Sequence, residues 1–272
     1  MKNLVFFDID GTLITKDENG YLIPESTSLA LRLLRENGSL CFINSGRTIA
    51  GMEDIILDIG VDGFVCGCGT YIKVNGQVLF SKTIPYPLGN EVIKDLGRCR
   101  IEWLLEGQNA LYYSDQPYKT RIKHFKEDHI KTFPGVCKVL PQKDAYNLSF
   151  DKFCICTAPG CDFEYFQNKY NKEFNFIDRG NCFFEIVPAD CSKATGMKFL
   201  MEYFNIPVQN TYAVGDSTND LPMIEFAGTG IAMGGSPSEV TKHADYITDN
   251  ILKNGIYNAM EHFNLIRPAL AK

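Results

Sequence analysis

Short apolar runs recur along the chain, and a helical pattern follows or precedes most of them. Four of these runs have the residue types of buried strands: Leu4–Phe7, Leu40–Ile43, Tyr212–Val214 and Gly230–Met233. Runs that are apolar throughout, rather than alternating with polar residues, are typical of a parallel sheet that is covered on both faces. The pattern therefore predicts an α/β fold.

The first two runs enclose a predicted helix over residues 24–37. Its apolar side consists of Leu29, Ala30, Leu33 and Leu34. This spacing has the period of a helix, and Gly38 is a typical stop signal at a helix end. The three elements together predict one β-α-β unit.

Two further helices are predicted in the last third of the chain. Ser192 is a suitable N-cap for a helix with apolar residues at helical spacing: Met197, Leu200, Met201 and Phe204. The segment from Ser236 to Glu239 has the pattern of a capping box, with a proline at the first helical position. We expect a helix to begin there.

The middle third has a different character, with more aromatic residues and a predicted turn at Gly76-Gln77. It is predicted to be an inserted α+β domain. Prolines typical of linkers lie at its two edges, around residues 82–87 and 186–190. The prediction is a discontinuous core of residues 1–82 and 188–272, interrupted by a cap of residues 83–187.

Composition and charge limit the classes of function. The chain has 272 residues, is 45% hydrophobic and carries a formal net charge of -6. This charge opposes binding to a nucleic acid or an anionic membrane. The apolar run before Asp8 is too short for a signal peptide or a membrane span, so a cytoplasmic protein is expected. The sequence leaves the oligomeric state open.

The ten cysteines and four histidines do not predict a metal site of their own. The pairs Cys66/Cys68 and Cys154/Cys156 lie in apolar runs and lack the spacing of zinc ligands, so they are interpreted as thiols in strands. A reducing compartment is expected to keep the thiols free. The histidines show no metal-ligand spacing and are predicted to be surface residues: His124, His129, His243 and His262.

Two acids, Asp8 and Asp10, follow the first apolar run directly. In an open parallel sheet ligands bind beyond the carboxyl ends of the strands, so chemistry is expected at this point. Two carboxylates about 4 Å apart repel by about 4 kcal/mol at an effective dielectric constant near 20. A shared proton or a cation must offset this repulsion. A hard divalent ion, most simply Mg²⁺, is the predicted cofactor.

Three more polar clusters are predicted at the same sheet edge. Residues 215–220 follow a strand and contain Asp216, although Ser217 and Asp220 also have the spacing of a capping box. Asn44-Ser45-Gly46-Arg47 follows another strand and offers a hydroxyl and backbone N–H groups to an anion. Lys193 lies in the first turn of a predicted helix. Each of these signals is weak alone. Together with Asp8 and Asp10 they form four clusters that indicate one site.

These clusters resemble the haloacid dehalogenase superfamily of phosphatases, and more closely its Cof-like subclass IIB. The resemblance rests on Asp8–Thr12, Ser45–Arg47, Lys193 and Gly215–Asp220, and it covers essentially the whole chain. It implies a Rossmann-like parallel-sheet core with an inserted α+β cap of type C2B. The chain departs from the family where Gly67-Cys68-Gly69-Thr70 replaces the frequent Asn-Gly-Ala.

The resemblance also implies the role of each residue. Asp8 is the implied nucleophile, and Asp10 the implied general acid and base. The implied Mg²⁺ ligands are Asp8, the main-chain carbonyl of Asp10, and Asp216. The implied phosphate-binding residues are Ser45, Gly46, Lys193 and Asn219. The implied supporting residues are Thr12, Arg47 and Asp220, with Arg47 anchoring its own helix and Asp220 orienting Lys193.

The implied activity is Mg²⁺-dependent hydrolysis of a small-molecule phosphate ester, such as a sugar phosphate or a phosphorylated cofactor, through an aspartyl-phosphate. Two alternatives remain: a phosphomutase of the same superfamily, and a non-catalytic phosphate-binding protein. Neither a nucleic acid nor a membrane is an expected partner. The sequence does not decide whether the cap residues Trp103, Tyr112, Tyr113 and Arg121 pack in a core or contact the leaving group.

Overall fold

The structure is a computed structural model that describes residues 2–18 and 20–266. Its residues cluster into two compact units. The first comprises residues 1–46, 54–79 and 193–272, and the second comprises residues 47–53 and 80–192. The second unit therefore includes a short segment, residues 47–53, that precedes its main stretch by more than twenty residues in sequence.

The strands and helices are as follows. The strands are β1 Leu4–Phe7, β2 Thr15–Asp17, β3 Gly20–Leu22, β4 Leu40–Asn44, β5 Gly63–Cys66, β6 Tyr71–Val74, β7 Gln77–Ser81, β8 Glu102–Glu106, β9 Leu111–Ser114, β10 Cys137–Leu140, β11 Lys152–Cys156, β12 Phe174–Asp178, β13 Phe183–Pro188, β14 Thr211–Gly215, β15 Thr229–Ala232 and β16 Tyr246–Ile247. The helices are α1 Glu25–Glu36, α2 Asp54–Leu57, α3 Tyr86–Arg98, α4 Ile122–Thr132, α5 Phe163–Tyr170, α6 Lys193–Phe204, α7 Leu221–Phe226, α8 Ser238–Thr241 and α9 Gly255–His262.

An eight-stranded sheet has the order β16-β15-β14-β1-β4-β5-β6-β7. From β16 to β5 every neighbouring pair is parallel, and β5 pairs antiparallel with β6. All four residues of β1 are buried, as expected for a central strand with both faces covered. The parallel core and the mixed α/β architecture confirm the predicted fold class.

The predicted β-α-β unit is confirmed, because β1 and β4 are parallel neighbours and α1 connects them. The buried side of α1 differs from the prediction, since Thr27 and Leu31 are buried whereas Leu29 and Leu33 are only half-buried. The true stripe runs through Thr27, Ala30, Leu31 and Leu34. The prediction used apolar residues alone, and the buried side includes a polar one, Thr27. The predicted buried side is therefore rotated about the helix axis relative to the observed one.

The second unit contains a six-stranded sheet with the order β10-β9-β8-β11-β13-β12. Pairing is antiparallel except between β9 and β10. One face packs aromatic and aliphatic side chains with α3 and α5, among them Phe153, Phe166 and Tyr170. The other face packs a smaller cluster with α4, including Tyr113 and Ile122. This unit is thus an α+β structure with a core on each face of its sheet.

Three local expectations were wrong. The box expected at Ser236 does not form, because α8 begins after Pro237 without a side-chain cap. The Ser236 hydroxyl is buried and has no partner in the part of the chain that the structure describes. Cys68 is not in a strand but in a short turn, with a φ of 54°. His129 is not a simple surface residue: it is half-buried, and its Nδ1 lies 2.8 Å from the Tyr113 hydroxyl.

Other expectations can be compared with the structure directly. All ten cysteines are free thiols, and seven are buried. Of the cap side chains whose role the sequence left open, Trp103 and Tyr113 are buried, Tyr112 is half-buried and Arg121 is exposed. Among the described residues, no helix has the length and apolar character needed to cross a bilayer.

Candidate active site

Three neighbouring parallel strands bring the predicted residues to one edge of the large sheet. Asp8 follows β1, Ser45 follows β4 and Asp216 follows β14, and the strands are adjacent in the order β14-β1-β4. The backbone N–H of Asp8 donates to the carbonyl of Val214 at 2.9 Å, which ties the end of β1 to the end of β14. Strand order alone therefore places Asp8 between the other two loops.

Lys193 lies between two carboxylates at the start of α6. Its Nζ is 2.5 Å from Oδ1 of Asp8, and it also donates to Oδ1 of Asp220. The lysine is 1% exposed, Asp8 is 5% exposed and Asp220 is fully buried. An ammonium group between two buried carboxylates satisfies charges that would otherwise be strongly destabilising.

The carboxylate of Asp220 organises the loop after β14. Its Oδ2 accepts hydrogen bonds from the backbone N–H groups of Asp216 and Ser217, both at 3.0 Å. The capping box predicted for Ser217 and Asp220 is present, and α7 follows it. The same side chain therefore caps a helix turn, shapes the loop and holds Lys193, so the two readings of this motif are compatible.

Gly11 is required by the close approach of the first loop to the Asp216 side chain. Its φ is +81°, and a β-carbon placed on it would lie 2.5 Å from Oδ2 of Asp216. Any other residue would push the two loops apart and strain the backbone. Thr12, next to it, is fully buried, and its hydroxyl has no hydrogen-bond partner among the described residues.

The electrostatics of the cluster follow from burial and from an excess of negative charge. Burial, helped by repulsion from Asp220, raises the pKa of Asp8 to about 6. Burial together with Asp8 and Asp220 raises the pKa of Asp216 to about 7. Burial alone would lower the pKa of Lys193, but the carboxylates of Asp220 and Asp8 raise it above its ordinary value. The lysine is therefore charged, and one positive charge faces three acids.

This arrangement fits a hard divalent cation. One carboxylate oxygen from each of Asp8, Asp216 and Asp220 lies within 4.8 Å of the others. Oδ1 of Asp216 is buried and has no hydrogen-bond partner within residues 2–18 and 20–266, whereas both oxygens of Asp220 are already bonded to protein groups. Carboxylate and carbonyl oxygens are the ligands that Mg²⁺ prefers. Asp8 and Asp216 therefore have oxygens suited to binding a metal ion. The oxygens of Asp220 instead bind Lys193 and the backbone of its own loop.

Asp10 is the exposed member of the first motif. The strand ends at Phe7, and Asp10 pairs with Ile14 only in an isolated bridge within a tight turn. Its charge nevertheless contributes to raising the pKa of Asp8. An exposed carboxyl group beside a buried one is suited to exchanging protons with solvent and substrate.

The phosphate-binding loop predicted after β4 is held by backbone bonds. The N–H of Ser45 donates to Val65 at 2.9 Å, and its carbonyl accepts from the N–H of Cys68 at 3.0 Å. The short turn Gly67–Gly69, where the chain departs from the family, thus supports the Ser45 loop through its main chain. Arg47 forms an ion pair with Glu53 at 2.6 Å.

Asn44 belongs to the third predicted cluster, but the sequence assigned it no role. This residue is fully buried at the end of β4, and its Nδ2 donates to the carbonyl of Lys193 at 3.0 Å. The bond ties the first turn of α6 to the strand that leads to Ser45. A polar residue at the end of an otherwise apolar strand was the one available signal, and it did not reveal the partner.

Residues 5–260 match the family of haloacid dehalogenase-like hydrolases. The chain belongs to this family, and the match confirms the resemblance drawn from the motifs.

Similarity to particular proteins extends over nearly the full length. YkrA of Bacillus subtilis (strain 168), named as a phosphatase, is 30% identical over 271 residues, which cover 97% of this chain and 98% of YkrA. The 5-amino-6-(5-phospho-D-ribitylamino)uracil phosphatase YcsE of the same organism is 24% identical, with 96% of each chain covered. The solved structure of the subclass IIB sugar phosphatase BT4131 superposes with a TM-score of 0.82 at 23% identity, covering 97% of this chain and all of that one. These names agree with the predicted enzyme class, a phosphoric monoester hydrolase.

Proposed function

We propose that this protein is a Mg²⁺-dependent phosphatase that hydrolyses small-molecule phosphate monoesters through an aspartyl-phosphate on Asp8. The observation that carries the proposal is the buried group formed by Lys193, Asp8, Asp220 and the unpartnered oxygen of Asp216. A charged lysine and a cation site beside one carboxylate suit the binding of a phosphate dianion, which acids alone would repel.

The first step is attack by a carboxylate oxygen of Asp8 on phosphorus. The new bond joins that oxygen to phosphorus, and the bond between phosphorus and the ester oxygen breaks. Asp10, which is exposed and next to the reacting acid, donates the proton that the leaving alkoxide takes up. The products of this step are the free alcohol and a phosphorylated Asp8.

The second step hydrolyses the phosphorylated Asp8. Asp10, now ionised, accepts a proton from a water molecule as the water oxygen bonds to phosphorus. The bond between Asp8 and phosphorus breaks, which restores the carboxylate and releases inorganic phosphate. Asp10 thus acts first as an acid and then as a base, and it regains in the second step the proton that it gave up in the first.

The remaining residues have positioning and binding roles in this proposal. Lys193, Ser45, the N–H of Gly46 and Asn219 bind the phosphoryl oxygens, while Asp220 orients Lys193. Mg²⁺ would be held by Asp8, Asp216 and the main-chain carbonyl of Asp10, and when bound it supplies positive charge that stabilises the transferring phosphoryl group. Thr12 and Arg47 support their loops.

The insert of residues 83–187 is proposed to act as a cap that selects the leaving group. Every motif residue named for the chemistry lies outside this interval. A sugar phosphate or a phosphorylated cofactor is the proposed substrate class, and the cytoplasm is the proposed location. The phosphatase names of full-length relatives support the reaction, whereas the leaving group has to be established by assay.

The direct test is release of inorganic phosphate from a panel of phosphate esters, with Mg²⁺ and with excess EDTA. We expect phosphate release that chelation abolishes and added Mg²⁺ restores. Conversion of one sugar phosphate into its isomer without phosphate release would favour the phosphomutase alternative. Phosphate binding with no turnover of any ester, acetyl phosphate included, would contradict both enzyme assignments.

A further inference from the structure

Asn44 lies between the two elements that carry proposed phosphate-binding residues. It is the last residue of β4, is fully buried and directly precedes Ser45. Its Nδ2 donates to the main-chain carbonyl of Lys193, the first residue of α6, at 3.0 Å. One side chain therefore connects the loop that begins at Ser45 with the helix that carries the lysine.

The strand register places a second contact of α6 beside this bond. Asn44 is paired with Val65 on the parallel strand β5, so the two side chains share one face of the sheet. A β-carbon on Gly196 would clash with Cγ1 of Val65, so α6 packs closely against β5 one turn after Lys193. The backbone N–H of Ser45 donates to the carbonyl of the same valine at 2.9 Å. One pair of neighbouring residues thus holds both the first turn of α6 and the Ser45 loop.

Lys193 is held at both ends. Its Nζ donates to Oδ1 of Asp8 and to Oδ1 of Asp220. A lysine side chain is a flexible four-carbon stem, so carboxylates at its tip do not by themselves determine where its helix lies. The bond from Asn44 fixes the main chain of the same residue. The position of the ammonium group therefore depends on Asn44 as well as on the two acids.

Packing and stability do not explain an asparagine at this position. The preceding residues of β4, Leu40–Ile43, are apolar. Oδ1 of Asn44 is buried and has no hydrogen-bond partner within the two described stretches of the chain. A buried acceptor without a partner destabilises a fold, and an apolar side chain would avoid this cost. What the asparagine provides in return is its bond to the carbonyl of Lys193.

We propose that Asn44 is a positioning residue for phosphoryl transfer, which sets the place of Lys193 relative to Ser45 through its bond to the lysine carbonyl. Asn44 acts through Lys193 rather than on the substrate. This inference rests on the phosphatase function proposed above, in which Lys193 and Ser45 bind phosphoryl oxygens. Because every phosphate ester shares the phosphoryl group, displacement of Lys193 should affect all substrates by one common factor.

The variant Asn44→Val removes the bond and leaves an apolar side chain suited to a strand. We expect kcat/KM to fall by about tenfold for acetyl phosphate and larger esters alike, since a misplacement of about 1 Å can cost up to about 10²-fold. Thr248→Val is the matched control, because the buried Thr248 hydroxyl donates to the carbonyl of Gly255, the first residue of α9, at 2.7 Å. That helix contributes no residue to the proposed site, so kcat/KM should remain as in the wild type.

A double-mutant cycle separates positioning from a general weakening of the fold. Asn44→Val should lower kcat/KM by about tenfold in the wild-type background and change it little in Lys193→Met, where no ammonium group is left to displace. A purely structural role would lower the activity of both backgrounds by the same factor. Equal losses in the two backgrounds, or wild-type activity of Asn44→Val, would overturn the inference.

Thermal melts check that each variant is folded at the assay temperature. Asn44→Ser, whose hydroxyl lies one bond closer to the backbone than the amide nitrogen, should show the same loss and replaces Asn44→Val if the latter does not fold. If neither variant folds, Asn44 is a structural residue and the inference fails.

If the wild type hydrolyses no ester at all, acetyl phosphate included, the proposed function fails instead. Binding of inorganic phosphate, measured by calorimetry, then still tests the positioning role. The affinity should be lower for Asn44→Val than for the wild type and Thr248→Val, and equal affinities for all three proteins would overturn the inference.

Discussion

Two buried lysines, one in each unit, lie between two carboxylates and differ in what surrounds them. Lys193 contacts Asp8 and Asp220 in loops and at a helix start. Lys152, the first residue of β11, contacts Glu106 at the end of β8 and Glu185 within β13. A third acid, Asp216, with a buried free oxygen, adjoins only the first group.

In the proposed function the first group carries the reaction, whereas the second lies in the proposed cap of residues 83–187. The group around Lys193 has an oxygen free to bind a metal, an exposed acid nearby and residues that any phosphoryl group would meet. The group around Lys152 is fixed by the register of β8, β11 and β13, and the buried acid Asp151 precedes its lysine. Changes in the first group should therefore affect all substrates alike, and changes in the second should affect them unequally.

The largest effect is expected for Asp8→Asn. The amide has no charge with which to attack phosphorus, so turnover should fall by at least about 10⁴-fold for every ester. Initial rates of phosphate release measure this loss, and a thermal melt checks that the variant is folded. A variant with wild-type turnover would exclude covalent catalysis by this residue.

Asp10→Asn should have a smaller effect that depends on the leaving group. Loss of proton transfer typically lowers rates by about 10²- to 10⁴-fold for alkyl esters. Departure of an activated phenol needs no proton, so the formation of the phosphoenzyme from such an ester should be reduced much less. Comparing single-turnover rates for an alkyl and an aryl phosphate measures the difference. Equal losses for both would argue against an acid role for Asp10.

Lys193→Met and Lys152→Met make a matched pair. The first removes the ammonium group from the proposed phosphate site and should lower kcat/KM for all esters, acetyl phosphate included, by a common factor of about 10². The second alters the proposed cap and should change kcat/KM for different phosphate esters by different factors. Both substitutions leave buried carboxylates without their lysine, so each variant should also lose about 3 to 5 kcal/mol of folding stability. The assays should therefore be run well below the melting temperature of each variant. If each variant lowered kcat/KM by one common factor for all esters, the proposed difference between the two groups would be contradicted.

The smallest expected effect concerns stability at Asp151, which precedes Lys152 and is buried. Burial, with repulsion from Glu106, raises the pKa of Asp151 to about 7, although a hydrogen bond from Gln108 opposes the rise. Because the folded pKa exceeds the ordinary value of 3.8, the folded protein holds a proton that the unfolded chain has lost, and stability falls as pH rises from about 4 to about 7.

Asp151→Asn removes this ionisation. Its free energy of unfolding should exceed that of the wild type by about 2 kcal/mol near pH 8, and the two proteins should differ little near pH 4, where Asp151 is largely protonated in both states. Denaturant unfolding at both pH values measures the difference. A gain of equal size at the two pH values would show that the ionisation of Asp151 does not cause it.

The sequence predicted that the residues of the first group meet at one sheet edge, because this placement follows from chain order. Asp8, Ser45 and Asp216 each follow a strand, and adjacent parallel strands bring their carboxyl ends together without any knowledge of side-chain contacts. The box of Ser217 and Asp220 was predictable for a similar reason, since its two bonds are local.

Contacts that depend on register or on long-range packing could not be predicted in this way. The ion pairs of Lys152 need the alignment of Glu106 with Lys152 and of Cys154 with Glu185, which no local spacing encodes. Asn44 binds a carbonyl 149 residues away. The local signal at Ser236 misled because an N-cap pattern shows that a cap is possible, not that the serine side chain turns toward the helix.

The most direct test of the central claim uses Asp10→Asn with an activated aryl phosphate. Because this leaving group needs no acid, Asp8 should still be phosphorylated, while hydrolysis, which needs the base, should be slow. The account predicts a burst of phenol close to one equivalent per enzyme and, by peptide mass spectrometry after acid quench, one phosphoryl group on Asp8. Phenol release without a burst and without a phosphorylated peptide, or phosphate on any other residue, would contradict it.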